Sequence, residues 1–266
     1  MRRTAIGVLV VVAVLAVAGG VIAPHDPLLQ NPDLALRGPS LTHPFGTDYL
    51  GRDVFSRLVT GTGTTVLAAI QSVGVGLLLG VVPGLASLWL GRTVEWLLLR
   101  AADALMTLPF IVFAVAVTGI LGNGLTQAML AIGALFAPLF FRVTRAAGLR
   151  LTRAQYVEAA ELFGASRTRI LRTHVWGKVL PTVAVTAAQA TGGALLAVSS
   201  LTFLGIGVKP PAPTWGGVLA SDLGFLAQQP WAPVIPAALI MVTVAALNAL
   251  ADHTTSKERV DAGLAR

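Results

Sequence analysis

Apolar runs of bilayer-crossing length recur along this chain and leave it few ways to fold. Six can be marked, at residues 5–23, 64–90, 101–121, 125–141, 179–205 and 231–251. A hydrocarbon core of ~30 Å needs about 20 helical residues. Inside it every backbone N–H and C=O must find a partner within the protein, which selects helices over open strands. The sequence therefore predicts an all-α polytopic membrane protein with six transmembrane helices. Composition agrees, since only 12% of the 266 residues are charged, against roughly 25% in soluble domains. A cleavable signal peptide would carry an apolar core of about 7–15 residues. The first block has 19, the length of an anchor that stays in the membrane.

The net charge of +7 and a pI near 11 raise the question of nucleic acid, which the placement of the 19 basic residues answers. An even number of spans puts both termini on one side. With that side inside, Arg2, Arg3, Arg92, Arg100, Arg142, Arg145, Arg150, Arg153, Arg167, Arg169, Arg172, Lys178, Lys257, Arg259 and Arg266 fall in cytoplasmic segments. Only Arg37, Arg52, Arg57 and Lys209 fall outside. This is the positive-inside bias of a membrane protein, so the lipid bilayer is the expected partner and nucleic acid is not. Trp89, Trp96 and Trp176 at inner span ends, with Trp215 and Trp231 at outer ones, fit an aromatic belt. The turn Gly122-Asn123-Gly124 makes a hairpin of the third and fourth spans. Gly76, Gly80 and Gly84, spaced by four on the second span, predict close helix packing.

Several chemistries find no support. No glycine-rich run ends in Gly-Lys-Ser/Thr, so the chain is not expected to be an ATPase by itself. It has no cysteine, and His25, His43, His174 and His253 lie outside the spans without metal-ligand spacing, so no metal and no catalytic residue is expected. Ionisable groups in the spans are sparse, which argues against a stand-alone channel or secondary carrier. Asp103, Gln189 and Asn248 are the polar residues available to line a path. Their plainer readings are an ion pair of Asp103 with Arg100 on the same helix face and interhelical hydrogen bonds for the two amides.

The most informative segment lies in the long loop 142–178, at YVEAAELFGASRTRILRTHVWGKVLP, residues 156–181. Read as a short helix over 155–163, it sets Tyr156, Ala159, Ala160 and Phe163 on one face, with Glu158 and Glu161 on another. Gly164 is a natural C-terminal stop. By spacing alone the helix either seats in a partner's groove or lies on the lipid surface.

The pattern Glu158-Ala159-Ala160 followed by Gly164, on a loop before the last two spans, resembles the signature of permease subunits of bacterial ABC importers. The nearest branch is the dipeptide/oligopeptide/nickel (DppC/OppC-like) family. HPFGTDYLGRDVFSRLVTG at 43–61, Asp103 with Pro109, and FLGIGVKPPAPTWG at 203–216 carry the resemblance over nearly the whole chain. Departures fall at Val175-Trp176-Gly177 and at 251–255.

The resemblance implies a type I permease fold in a bacterial cytoplasmic membrane, with residues 1–62 an anchor plus outer segment and 63–266 the permease domain. It implies a second, homologous permease and one or two ATP-binding cassette subunits that hold ATP and Mg. A solute-binding protein would deliver cargo, a di- or oligopeptide in the first reading, with nickel, haem or another small solute as the alternative. It assigns ATPase coupling to Tyr156, Glu158, Ala159, Ala160, Phe163, Gly164, Ala165 and Ser166. Docking of the binding protein is expected near Asp48, Arg52, Asp53 and Trp215.

The charge bias yields a direct test, since the chain has no cysteine of its own. Single cysteines at Ser166 and Thr214 are expected to react with impermeant maleimide from opposite sides of the membrane. Labelling of both from outside contradicts the assigned orientation.

Overall fold

A computed structural model describes the backbone of residues 2–208 and 211–264, with side chains as far as residue 253. Of the positions in the charge count, Lys209 and Arg266 lie outside the described residues, as do the side chains of Lys257 and Arg259. The helices, in chain order, are α1 (Arg2–Ile22), α2 (Val54–Ala86), α3 (Arg92–Thr107), α4 (Phe110–Leu121), α5 (Leu125–Thr152), α6 (Gln155–Leu162), α7 (Arg167–Ile170), α8 (Trp176–Phe203), α9 (Trp215–Leu223) and α10 (Trp231–Leu264). One π-helical turn, Leu171–Val175, joins α7 to α8, so Arg167–Phe203 is a single rod. Among the described residues five helices are long and apolar enough to cross a membrane: α1, α2, α5, the α7–α8 rod and α10. The bent pair α3–α4 makes a sixth when counted as one span.

That pair corrects the expected third span. α3 and α4 meet at an angle of 100°, because Pro109 lacks the N–H that would continue the ladder and holds Leu108 extended. Two other boundaries shift. α2 starts at Val54, well before residue 64, because the Asp53 carboxylate accepts the Ser56 N–H and caps it. α5 runs on to Thr152, so Arg142, Arg145 and Arg150 stand on a helix, not in a loop.

The deepest packing is between α2 and α5. A Cβ placed on Gly80 would lie 2.6 Å from Phe140 Cβ and 2.9 Å from the Phe141 amide nitrogen. One on Gly76 would lie 3.2 Å from the Gly133 carbonyl oxygen, and one on Gly84 3.1 Å from that of Phe141. The glycines spaced by four thus let two backbones touch, as small-residue interfaces do in lipid, where no hydrophobic force drives helices together. The polar side chains of α2 in this interior serve themselves. Thr62, Thr65 and Ser72 are buried and donate to the carbonyls of Leu58, Gly61 and Ala68 at 2.8–2.9 Å.

Trp215 departs from the aromatic-belt expectation. It is fully buried, its indole Nε1–H donating to Thr62 Oγ1 at 3.2 Å and its backbone N–H to Thr65 Oγ1 at 3.2 Å. Thr214, the cap of α9, is also buried, which makes fully exposed Leu41 the better outer labelling position.

Gly80→Ala is expected to cost about 1–3 kcal/mol by overpacking against backbone that cannot retreat, visible as a lower melting temperature in detergent. Gly74→Ala on the same helix meets nothing within 4 Å and is expected to leave that temperature unchanged or raise it.

Candidate functional site

The loop segment singled out by sequence folds as a compact unit. Ala154 is extended and starts α6, and Phe163 is its C-cap. Gly164 follows with φ +80, the left-handed region that disfavours other residues. The Gly164 N–H donates to the Glu161 carbonyl at 2.9 Å, and the Ala165 N–H reaches back to the Ala160 carbonyl at 3.0 Å. These two bonds make a Schellman stop. Ala160 and Ala165 sit at its paired apolar positions, and both pack against the core. Ser166 then caps α7, its oxygen accepting the Arg169 N–H at 3.3 Å. Each small residue of the pattern thus has a place in one tight reversal of the chain.

Fully buried Val157 and Ile170 fix this unit to the bundle. Arg167 Nη1 donates to the Trp89 carbonyl at 3.3 Å, tying α7 to the end of the α2 connection. Lys178 Nζ lies 4.0 Å from the Tyr156 ring centroid. The opposite side of α6 is bare. Leu162 is 84% exposed and Phe163 92%, with the exposed Glu158 one turn below Leu162. The helical phase read from sequence was therefore rotated: the predicted face placed Ala160 with Phe163 and passed over both Val157 and Leu162. Val157, three residues before Ala160, was the signal for the anchored side.

α3 is held to α5 by charge. Asp103 pairs with Arg142 and, at 3.6 Å, with Arg100, and Glu95 pairs with Arg145. Asp103 is thus engaged in the ion pair expected with Arg100, plus one across helices. Gln189 and Asn248 are both exposed on the chain, not sealed between its helices. Gln189 belongs to a strip of α8, with Gly193, Leu196 and Ser200, left uncovered at i, i+4, i+7, i+11 spacing.

The outer residues assigned to docking are not a surface. Asp48, Arg52, Asp53 and Trp215 are each 5% exposed or less, their side chains turned into the fold. Asp48 Oδ2 accepts from Arg52 Nε at 2.7 Å and lies 3.6 Å from Arg57 Nε. Its other oxygen accepts the backbone N–H groups of Leu50 and Arg52. Mixed charge that reads as a solvated surface is here a folded, mutually neutralised interior. Asp222 on α9 faces the same cluster; burial, with the Asp48 charge adding to it, pushes its carboxyl up to about 6. His25 and His43 are far from metal-ligand spacing along the chain, yet they converge on Asp53.

Comparison with known proteins follows from this geometry. The family described as binding-protein-dependent transport system inner membrane component matches residues 73–257. The dipeptide transport system permease protein DppC of Alkalihalophilus pseudofirmus is 34% identical over 222 residues, covering 84% of this chain and 73% of that protein. The glutathione transport system permease protein GsiD of Escherichia coli O6:K15:H31 is 33% identical over 255 residues, covering 95% of this chain and 84% of that protein. The fold is similar to that of the MetNI methionine ABC transporter in inward-facing conformations, with a TM-score of 0.60 at 19% identity, covering 74% of this chain and 94% of that one.

Proposed function

The chain belongs to the binding-protein-dependent transport system inner membrane component family, and we propose that it is the permease through which ATPase subunits drive peptide import. It is a non-catalytic membrane component of an ABC transporter. The observation that supports coupling is the α6 unit: an exposed apolar tip, Leu162–Phe163, carried on a reversal anchored at Val157. A bare Phe beside a glutamate, on a rigid mount, suits a groove in a protein partner. Closure of two ATPase subunits on ATP would push this unit, and the continuous rod from Arg167 to Phe203 would carry the displacement into the membrane as a rigid body.

ATP and Mg belong to those subunits in this reading. The uncovered strip of α8 with Gln189 is the face offered to a second, homologous permease, and together with Asn248 it borders the pathway. The termini and the α6 unit are cytoplasmic, by the basic bias. Peptide cargo is favoured because the relatives named for dipeptide and glutathione transport match along most of this chain. A solute-binding protein approaches the outer segment, whose internal charges shape that segment and do not themselves bind.

Gly164→Val forces a β-branched residue into left-handed backbone, and Glu158→Lys inverts the charge beside the tip. Both variants are expected to insert at normal levels and to lose ATP-dependent uptake by at least ~10-fold, the cost of an uncompensated charge or misplaced contact at a fixed interface. Full uptake in both, measured in cells or proteoliposomes, contradicts the coupling role.

A further inference from the structure

At the outer end of the bundle three side chains from separate segments turn toward one point. His25 follows α1, His43 lies in the outer segment, and Asp53 caps α2. His43 Nδ1 lies 2.9 Å from Asp53 Oδ1, His25 Nδ1 lies 3.9 Å from Asp53 Oδ2, and the two rings stack with centroids 4.6 Å apart. All three donor atoms fall within 4.8 Å of one another. We propose that His25, His43 and Asp53 form a binding site for a divalent transition-metal ion of the zinc type.

The donor set fits that chemistry. Two imidazole nitrogens and one carboxylate oxygen suit zinc, with bonds of about 2.0–2.2 Å and a fourth position left for water. Tetrahedral bonds of that length hold donor atoms roughly 3.3 Å apart; the three donors here lie within 4.8 Å of one another, so binding draws them together. A second observation is independent of the clustering. His25 Nδ1 is buried without a hydrogen-bond partner among the described residues, although its ring as a whole is 39% exposed. A buried imidazole nitrogen with nothing to bond is a cost, and an ion bonded to its lone pair removes it.

The mount is already built. The Ser56 N–H holds Asp53 Oδ2 at 2.7 Å, and the His25 N–H donates to Ser56 Oγ at 3.1 Å, so backbone bonds orient the ligands from behind as outer-shell groups do. On binding, His43 gives up its bond to Asp53 and carries its proton on Nε2. The ion would join the end of α1, the outer segment and the start of α2. It does not depend on the transport reading.

Cobalt(II) is the probe, because it reports tetrahedral nitrogen and oxygen coordination by visible absorption. The full chain purified in detergent is expected to develop a saturable visible band at one Co²⁺ per chain, displaced by Zn²⁺. His25→Phe keeps a ring for the stack and removes the ligand. It is expected to weaken binding by at least ~10-fold, because loss of a mere outer-shell partner already costs 10–100-fold. His25→Gln serves as a second ligand deletion if the first variant fails to fold. Absence of a saturable band in the unaltered chain, or an equal affinity in a folded variant, overturns the site.

Discussion

Backbone contact between α2 and α5 is the interaction on which the rest of the arrangement rests. In hydrocarbon, one helix gains nothing by exchanging lipid for the flank of another unless the two pack closely. Gly76, Gly80 and Gly84 permit that approach by removing the side chains that would stand between the two backbones. Once α5 is seated, its C-terminal half presents Arg142 and Arg145 to the carboxylates of α3. It also hands the chain to α6. At the other end α2 carries Thr62 and Thr65, which receive buried Trp215 and position α9. Both the inner unit and the outer cluster are thus located by one glycine-mediated contact.

The α6 unit shows how a short signature becomes a defined reversal of the chain. Its glycine ends a helix, its alanines fill the apolar positions of the stop, and its serine starts the next helix. Nothing in this reversal needs a partner, and its largest exposed apolar side chains are Leu162 and Phe163, with Glu158 and Glu161 exposed beside them. A π-helical turn at Leu171–Val175 joins α7 to α8, and such turns often occur at functional positions.

Much of this was legible in the sequence because lipid imposes a length and a polarity that can be counted. The membrane class, the helical content, the glycine packing and the stop at Gly164 were all readable from local pattern. At Leu108–Pro109 the proline marks a kink in the sequence, but the size of the bend, 100°, was not legible because the residues on either side are equally apolar. The burial of Asp48, Arg52 and Asp53 was hidden for a different reason. Charges that neutralise one another through a fold resemble a hydrated loop until the pairing is seen. The phase of α6 was misjudged because Val157 and Leu162 were left out of the periodic count. The convergence of His25 with His43 depends on where α1 ends relative to α2, which no linear spacing records.

The central claim is that the tip of α6 sits inside a partner protein and not in lipid. Its most direct test replaces Phe163 by photoreactive p-benzoylphenylalanine in the transporter assembled with its ATPase subunits in membranes. Irradiation is expected to join this chain covalently to an ATPase subunit, in a yield that changes when ATP is added. Adducts to lipid alone, with no protein partner in either state, would contradict the account.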